Sequence, residues 1–258
     1  MLSQKWQKLI RSLHKKKYRQ SQGLFLVEGE KVVCELLNSD WPIEQLLISP
    51  AFAEAHQDLL AQRTLEPWVC EPARISALSH LHTNEQALAL VPLPEPANEA
   101  PHPSPWLLAL DQINDPGNLG TLIRLADWFG MPDLVCSPQC VDAFSPKVIS
   151  ASKGSFLRVR IHHTALTDYL DQLPAHCLKL GADLQGDSLH QLQLSPQAQG
   201  VLLLGSESHG LSEPVLQRVS QRITIPGSGQ AESLNVAIAA AIICDNLFRL
   251  TGFQESSP

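Results

Sequence analysis

The chain has 258 residues, 44% of them apolar, and 26 acidic against 19 basic side chains leave a formal charge of -7. That length holds one large domain or two modest ones, and the apolar fraction is ordinary for a soluble protein. No uninterrupted apolar run reaches the ~18 residues of a membrane span, and the acidic average on its own argues against nucleic acid.

The distribution of charge says otherwise. No acidic residue occurs before Glu28, whereas Lys5, Lys8, Arg11, Lys15, Lys16, Lys17 and Arg19 are all basic. Trp6, Leu9, Ile10 and Leu13 interleave with them at helical spacing, which predicts a basic amphipathic helix rather than a frayed tail. Lys15, Lys16, Lys17 and Arg19 are the expected RNA contacts. No apolar stretch or small-residue cleavage site follows this segment, so no secretory signal is expected and the expected location is cytoplasmic.

The pattern then predicts a strand at 24–28, a helix at 30–38, a strand at 45–48 and a helix at 51–62. A short strand at 68–69, a helix at 75–81 and a strand at 87–91 complete a small α/β module over residues 1–90. Prolines at 92, 94, 96, 101, 103 and 105 mark residues 91–105 as a stiff linker, because proline fixes φ and lacks an N–H.

Residues 106–258 form the second expected domain. Strands are expected at 106–110, 134–136, 156–161, 178–182, 201–204 and 222–225. Helices are expected at 118–129, 147–152, 166–173, 214–220 and 233–250. Alternation with nearly all-apolar strands implies a parallel sheet covered on both faces. Six cysteines at 34, 70, 136, 140, 177 and 244 form no Cys-x-x-Cys pair. They read as buried thiols, and no metal is expected.

Three strands run into glycine-bearing loops. They are Asp115-Pro116-Gly117-Asn118-Leu119-Gly120, Gly205-Ser206-Glu207-Ser208-His209-Gly210, and Pro226 to Ser233-Leu234-Asn235-Val236. Three such loops suggest one ligand site at the carboxyl edge of the sheet. No Walker loop, Gly-x-Gly-x-x-Gly or Gly-x-Ser-x-Gly occurs where its chemistry would need it.

Asn118-x-Gly120-x-x-x-Arg124, Gly205-x-Glu207-x-x-Gly210-Leu211 and Ile225-Pro226 with Ser233-Leu234-Asn235-Val236 resemble, in order and spacing, motifs 1 to 3 of the SpoU (TrmH) branch of the SPOUT methyltransferases. Arg19-x-x-x-Gly23-x-Phe25-Leu26-Val27-Glu28-Gly29 is similar to the substrate-binding domain that precedes many of those catalytic domains. The resemblance implies an α/β parallel-sheet fold with a C-terminal deep trefoil knot, and a homodimer. It implies S-adenosyl-L-methionine as methyl donor and a ribose 2′-hydroxyl of structured RNA as acceptor. By position it makes Arg124 the catalytic candidate, with Asn118, Glu207, Ser233 and Asn235 shaping the site and Gly205, Ile225 and Leu234 lining the cofactor pocket. Ribosomal RNA is the favoured substrate. Transfer RNA, or a non-catalytic RNA-binding protein that keeps the fold, is the alternative. The chain departs from the family at Gly227, where methionine is frequent, at Ala237-Ile238-Ala239, and at Asn84-Glu85-Gln86-Ala87.

Overall fold

A computed structural model describes residues 2–81, 83–95 and 101–251. Residues 96–100 of the expected linker lie outside the described residues. The chain divides into two units, Met1–Pro96 with Asp142–Leu157, and Ala97–Val141 with Arg158–Pro258.

The first unit begins with α1 (Gln4–Ser12) and α2 (Lys16–Gln22), followed by β1 (Leu24–Glu28) and α3 (Glu30–Leu37). Next come β2 (Gln45–Ile48), α4 (Pro50–Ala55), α5 (Gln57–Ala61), β3 (Trp68–Val69), α6 (Pro72–Leu78) and β4 (Ala87–Pro92). The expected basic helix is thus two helices. Gly23, with φ 64, ends the second one and turns the chain into β1. The sheet order is β1-β4-β2-β3, with β4 antiparallel to both neighbours. Ile10, Leu13, Leu26, Leu47, Leu88 and Leu90 close its core.

The second unit starts at β5 (Trp106–Leu110), whose five residues are all buried, as a central parallel strand requires. Asp115 caps α7 (Pro116–Trp128) by accepting from the Asn118 amide, with Pro116 in the first turn. After β6 (Asp133–Cys136) the chain supplies α8 (Pro146–Ser152) to the first unit and returns as β7 (Arg160–His163). There follow α9 (Leu166–Gln172), β8 (Leu178–Ser188), β9 (Gly200–Leu204), α10 (Glu213–Leu216), β10 (Gln221–Thr224) and α11 (Val236–Thr251). The strand expected over 156–161 is a 3₁₀ turn at Ser155–Leu157 followed by β7. Phe156 is drawn instead into an aromatic group with Phe25 and Trp41, at ring separations of 5.9 and 5.7 Å.

The six-stranded sheet runs β10-β8-β9-β5-β6-β7, and every pairing is parallel. From β5 the chain moves to β6 on one side. From β9 it moves to β10 on the other. The topological switch point therefore lies between β5 and β9, where open parallel sheets place their ligands outside the carboxyl ends.

Candidate active site

The loops after β5 and β9 flank that switch point, and a buried carboxylate ties them together. Asp111, 3% exposed at the end of β5, accepts the Ser212 amide at 2.8 Å, while its own amide bonds the Leu204 carbonyl. Sequence reading missed Asp111; its only signal was a charge closing the apolar run Trp106-Leu107-Leu108-Ala109-Leu110. Beside it, Gln112 holds φ 58, a conformation uncommon outside glycine, asparagine and aspartate. Its amide bonds the Ser137 hydroxyl at 2.9 Å.

Side chains from all three motif loops meet above this joint. Asn118 and Asn235 both donate to Glu207 Oε1 at 2.9 Å, and Asn235 also donates to Asn118 Oδ1 at 2.9 Å. Asn235 Oδ1 accepts the amides of Ala237 and Ile238 and so caps α11. The helix accordingly starts at Val236, three residues later than expected, with Asn235 as its cap. One residue thus fixes both the helix entry and the site.

Glycine 205 is fixed by space. A Cβ there would lie 2.0 Å from the Gly210 carbonyl carbon. Ser206 and Gly210 exchange backbone hydrogen bonds of 3.1 and 2.9 Å, folding this loop tightly on itself. After β10, Ile225 is half-buried, and residues 226–235 are exposed and form neither helix nor strand. Ser233 is exposed and Leu234 is 46% exposed. Gly186, in the outer part of β8, packs against the Arg222–Ile223 backbone: a Cβ would lie 2.5 Å from the Ile223 nitrogen. That segment, with Leu184 69% exposed, joins the same sheet edge and was not anticipated.

Arg124 stands exposed on α7, ~9 Å along the helix axis from Asn118. No hydrogen bond or ion pair joins it, or Ser233, to the Asn118–Glu207–Asn235 triangle among the described residues. Lys15, Lys16 and Lys17 are exposed. Arg19 corrects the expectation of an RNA contact. It is 3% exposed, pairs with Asp142 and donates to the Leu13 carbonyl at 2.7 Å. Its charge is satisfied inside the first unit.

A second cluster has the residue types of a nucleophile triad without the geometry. His56 bonds Glu30 at 2.9 Å, but Cys34 Sγ lies 3.8 and 3.7 Å from the two ring nitrogens, across the ring rather than in line with one of them. Burial, then Glu30 and Glu35, push the thiol pKa up, away from a thiolate. Among the described residues no group of three or more His, Cys, Asp or Glu could hold a metal.

Residues 105–245 match the SpoU rRNA Methylase family, and residues 7–89 match the MRM3-like substrate binding domain. The chain is 32% identical over 238 residues to the 23S rRNA (guanosine(2553)-2′-O)-methyltransferase RlmP of Bacillus subtilis, covering 92% of this chain and 93% of that one. It is 27% identical to the 23S rRNA (uridine(2479)-2′-O)-methyltransferase of Streptomyces viridochromogenes, over 99% and 92% of the two chains. Among solved structures it resembles the AdoMet-bound rRNA methyltransferase from Sinorhizobium meliloti, with a TM-score of 0.84, 27% identity, and 96% of each chain covered. The matched residues take in all three loops that converge at the switch point, and the chain belongs to the SpoU rRNA methylase family.

Proposed function

We propose that the protein transfers a methyl group from S-adenosyl-L-methionine to a ribose 2′-hydroxyl of ribosomal RNA. The observation that carries this reading is the hydrogen-bonded triangle of Asn118, Glu207 and Asn235, one residue from each motif loop, at the switch point. Relatives named as 23S rRNA 2′-O-methyltransferases support the substrate class.

The residues fit the cofactor. Gly205, Ile225 and Leu234 would hold it, because tight and exposed loop backbone offers fixed donors and acceptors to an adenine edge and Leu234 offers apolar surface. When bound, S-adenosylmethionine supplies a methyl group already activated on a sulfonium centre. The chain's task is then to orient the 2′-hydroxyl and take its proton. Glu207 is suited to that. Both amide donors use Oε1, so its other oxygen is open to accept the proton as the new O–C bond forms. Asn118 and Asn235 fix the carboxylate. Arg124 stays protonated in proteins, so its role is to stabilise charge developing on the oxygen or to grip the adjacent phosphate. Ser233 shapes the loop beside it.

The first unit would grip RNA through Lys15, Lys16 and Lys17. A deep trefoil knot around β8 to α11, a homodimer and a cytoplasmic location complete the reading. The insertion of β9 between β8 and β5 supports the first of these, and exposed Trp128 and Ile238 support the second. Incubation with labelled cofactor and ribosomal RNA, followed by mapping of alkali-resistant ribose positions, tests the function. Label recovered on a base, or none on RNA, would contradict it.

A further inference from the structure

Among the described residues the first unit holds three buried polar atoms without a hydrogen-bond partner; one is Ser145 Oγ, and the other two are His14 Nδ1 and Glu28 Oε2. The side chains of His14 and Glu28 converge on one three-residue stretch. His14 Nε2 lies 3.1 Å from the Leu78 carbonyl, and Glu28 Oε1 accepts the His80 amide at 2.7 Å. The rings of His14 and His80 lie 5.6 Å apart. A carbonyl only accepts, so Nε2 of His14 carries the hydrogen, and in that tautomer Nδ1 is an acceptor. A carboxylate oxygen is an acceptor too. Two acceptors without donors are a costly arrangement in a folded core, and such groups call for a bound donor.

The surroundings limit what that donor is. Glu28 is 4% exposed, yet His80, whose ring lies beside that of His14, is exposed. The stretch is held in place by Asn84, 5% exposed, which donates to Ser79 Oγ at 3.2 Å and to the Ala87 carbonyl at 2.9 Å. Lys15, Lys16 and Lys17 follow His14 directly. Two acceptors exclude a phosphate oxygen as the buried ligand, whereas the lysines suit the phosphates on either side. A base whose edge carries two adjacent donors fits. Guanine, with N1–H beside the N2 amino group, is the base that presents them.

We propose that the first unit carries a recognition site for one unpaired guanine of the RNA. The base edge takes Glu28 Oε2 and His14 Nδ1, the exposed His80 ring offers a stacking face, and Lys15 to Lys17 meet the flanking phosphates. The His80 ring must turn aside to admit the base. The proposal rests on the reading that the first unit grips RNA.

Fluorescence anisotropy with full-length protein and 11-mers of uridine carrying one central G, inosine, 7-deazaguanine, A or U tests it without any methyl transfer. The central G is expected to bind about tenfold or more tighter than U. Inosine, which lacks the amino group, should lose most of that gain, and 7-deazaguanine, altered on the other edge, should keep it. Glu28→Gln should remove the preference for G. Equal affinity for all five centres in the wild-type protein would leave the acceptors to a buried water and overturn the proposal. Binding to none of them would overturn the RNA-grip reading as well. Where Glu28→Gln fails to fold, His14→Phe, which removes the second acceptor at a half-buried position, replaces it. A G preference unchanged in that folded variant would place the recognition elsewhere and overturn the proposal.

Discussion

At the residue scale, the informative detail is that both amides of the triangle use one oxygen of Glu207. A glutamine carbonyl can accept the same two bonds, so Glu207→Gln keeps the geometry and removes only the charge. We expect unchanged folding and cofactor affinity with a fall in single-turnover rate of ~100-fold or more, the range for loss of a general base. A near wild-type rate would reduce Glu207 to a positioning group. Asn118→Asp should slow methyl transfer more than Asn118→Ala, because it sets a second carboxylate beside the first. Arg124 is decided by a different pair. Arg124→Lys keeps the cation but loses the planar fork. If the fork holds hydroxyl and phosphate together, the rate falls by ~100-fold with cofactor binding intact, as when one preorganised donor is removed. Substantial residual rate in the lysine variant would assign a purely electrostatic role. Gly205→Ala tests the loop itself, since the added methyl overlaps the Gly210 carbonyl. It should abolish cofactor binding in a calorimetric titration and lower the melting temperature as well, because the overlap is with backbone.

Elements built from local signals were legible in the chain, and elements decided by distant packing were not. The apolar run of β5, the proline and aspartate at the start of α7 and the three loops were readable because strand composition, caps and glycines act within a few residues. The triangle was readable only as three motif positions; that Asn235 bonds both partners needed the fold. Phe156 misled because its β-propensity was overridden by a place among aromatic rings far away in sequence. Arg19 misled for a similar reason, since its partner Asp142 lies 123 residues on. A third case is the joint between β6 and β7. Asp133, 7% exposed, accepts both Arg160 nitrogens at 2.8 and 2.7 Å and His162 Nε2 at 2.6 Å. Burial opposes its ionisation, but the hydrogen bonds from Arg160 and His162 outweigh it and hold the carboxyl pKa below its ordinary value. A depressed folded value means stability that is present above the unfolded carboxylate range, near ~4, and lost as pH falls through the folded value. Arg160→Ala should therefore lower the melting temperature most at neutral pH, and the gap to wild type should close in strong acid. A gap independent of pH would assign Arg160 a packing role only.

At the scale of the whole molecule, the second unit leaves large apolar side chains exposed on α7 and α11. Trp128, at the end of α7, is 79% exposed, and Ile238, on α11, is 54% exposed. The two helices pack against each other, with Phe129 and Phe248 at 4.9 Å. Trp128 lies four residues beyond Arg124, so both stand on one stripe of α7. An exposed indole on a helix that also carries site residues is what a second copy would cover. Two lengths of RNA-gripping surface would then act together, and the acidic average of -7 would matter less than the placement of Lys15, Lys16 and Lys17. Trp128→Glu tests the interface without touching the core, since the side chain is solvent-facing in the single chain. The wild-type protein should sediment as a dimer at micromolar concentration and the variant as a monomer with an unchanged melting profile. A wild-type monomer, or a dimeric variant, would remove α7 from the interface. Removing the three lysine charges should instead leave the dimer intact, weaken RNA binding and flatten its salt dependence. The log–log slope should fall by up to ~0.9 for each duplex phosphate that the protein no longer neutralises. An unchanged slope would assign those lysines to solubility.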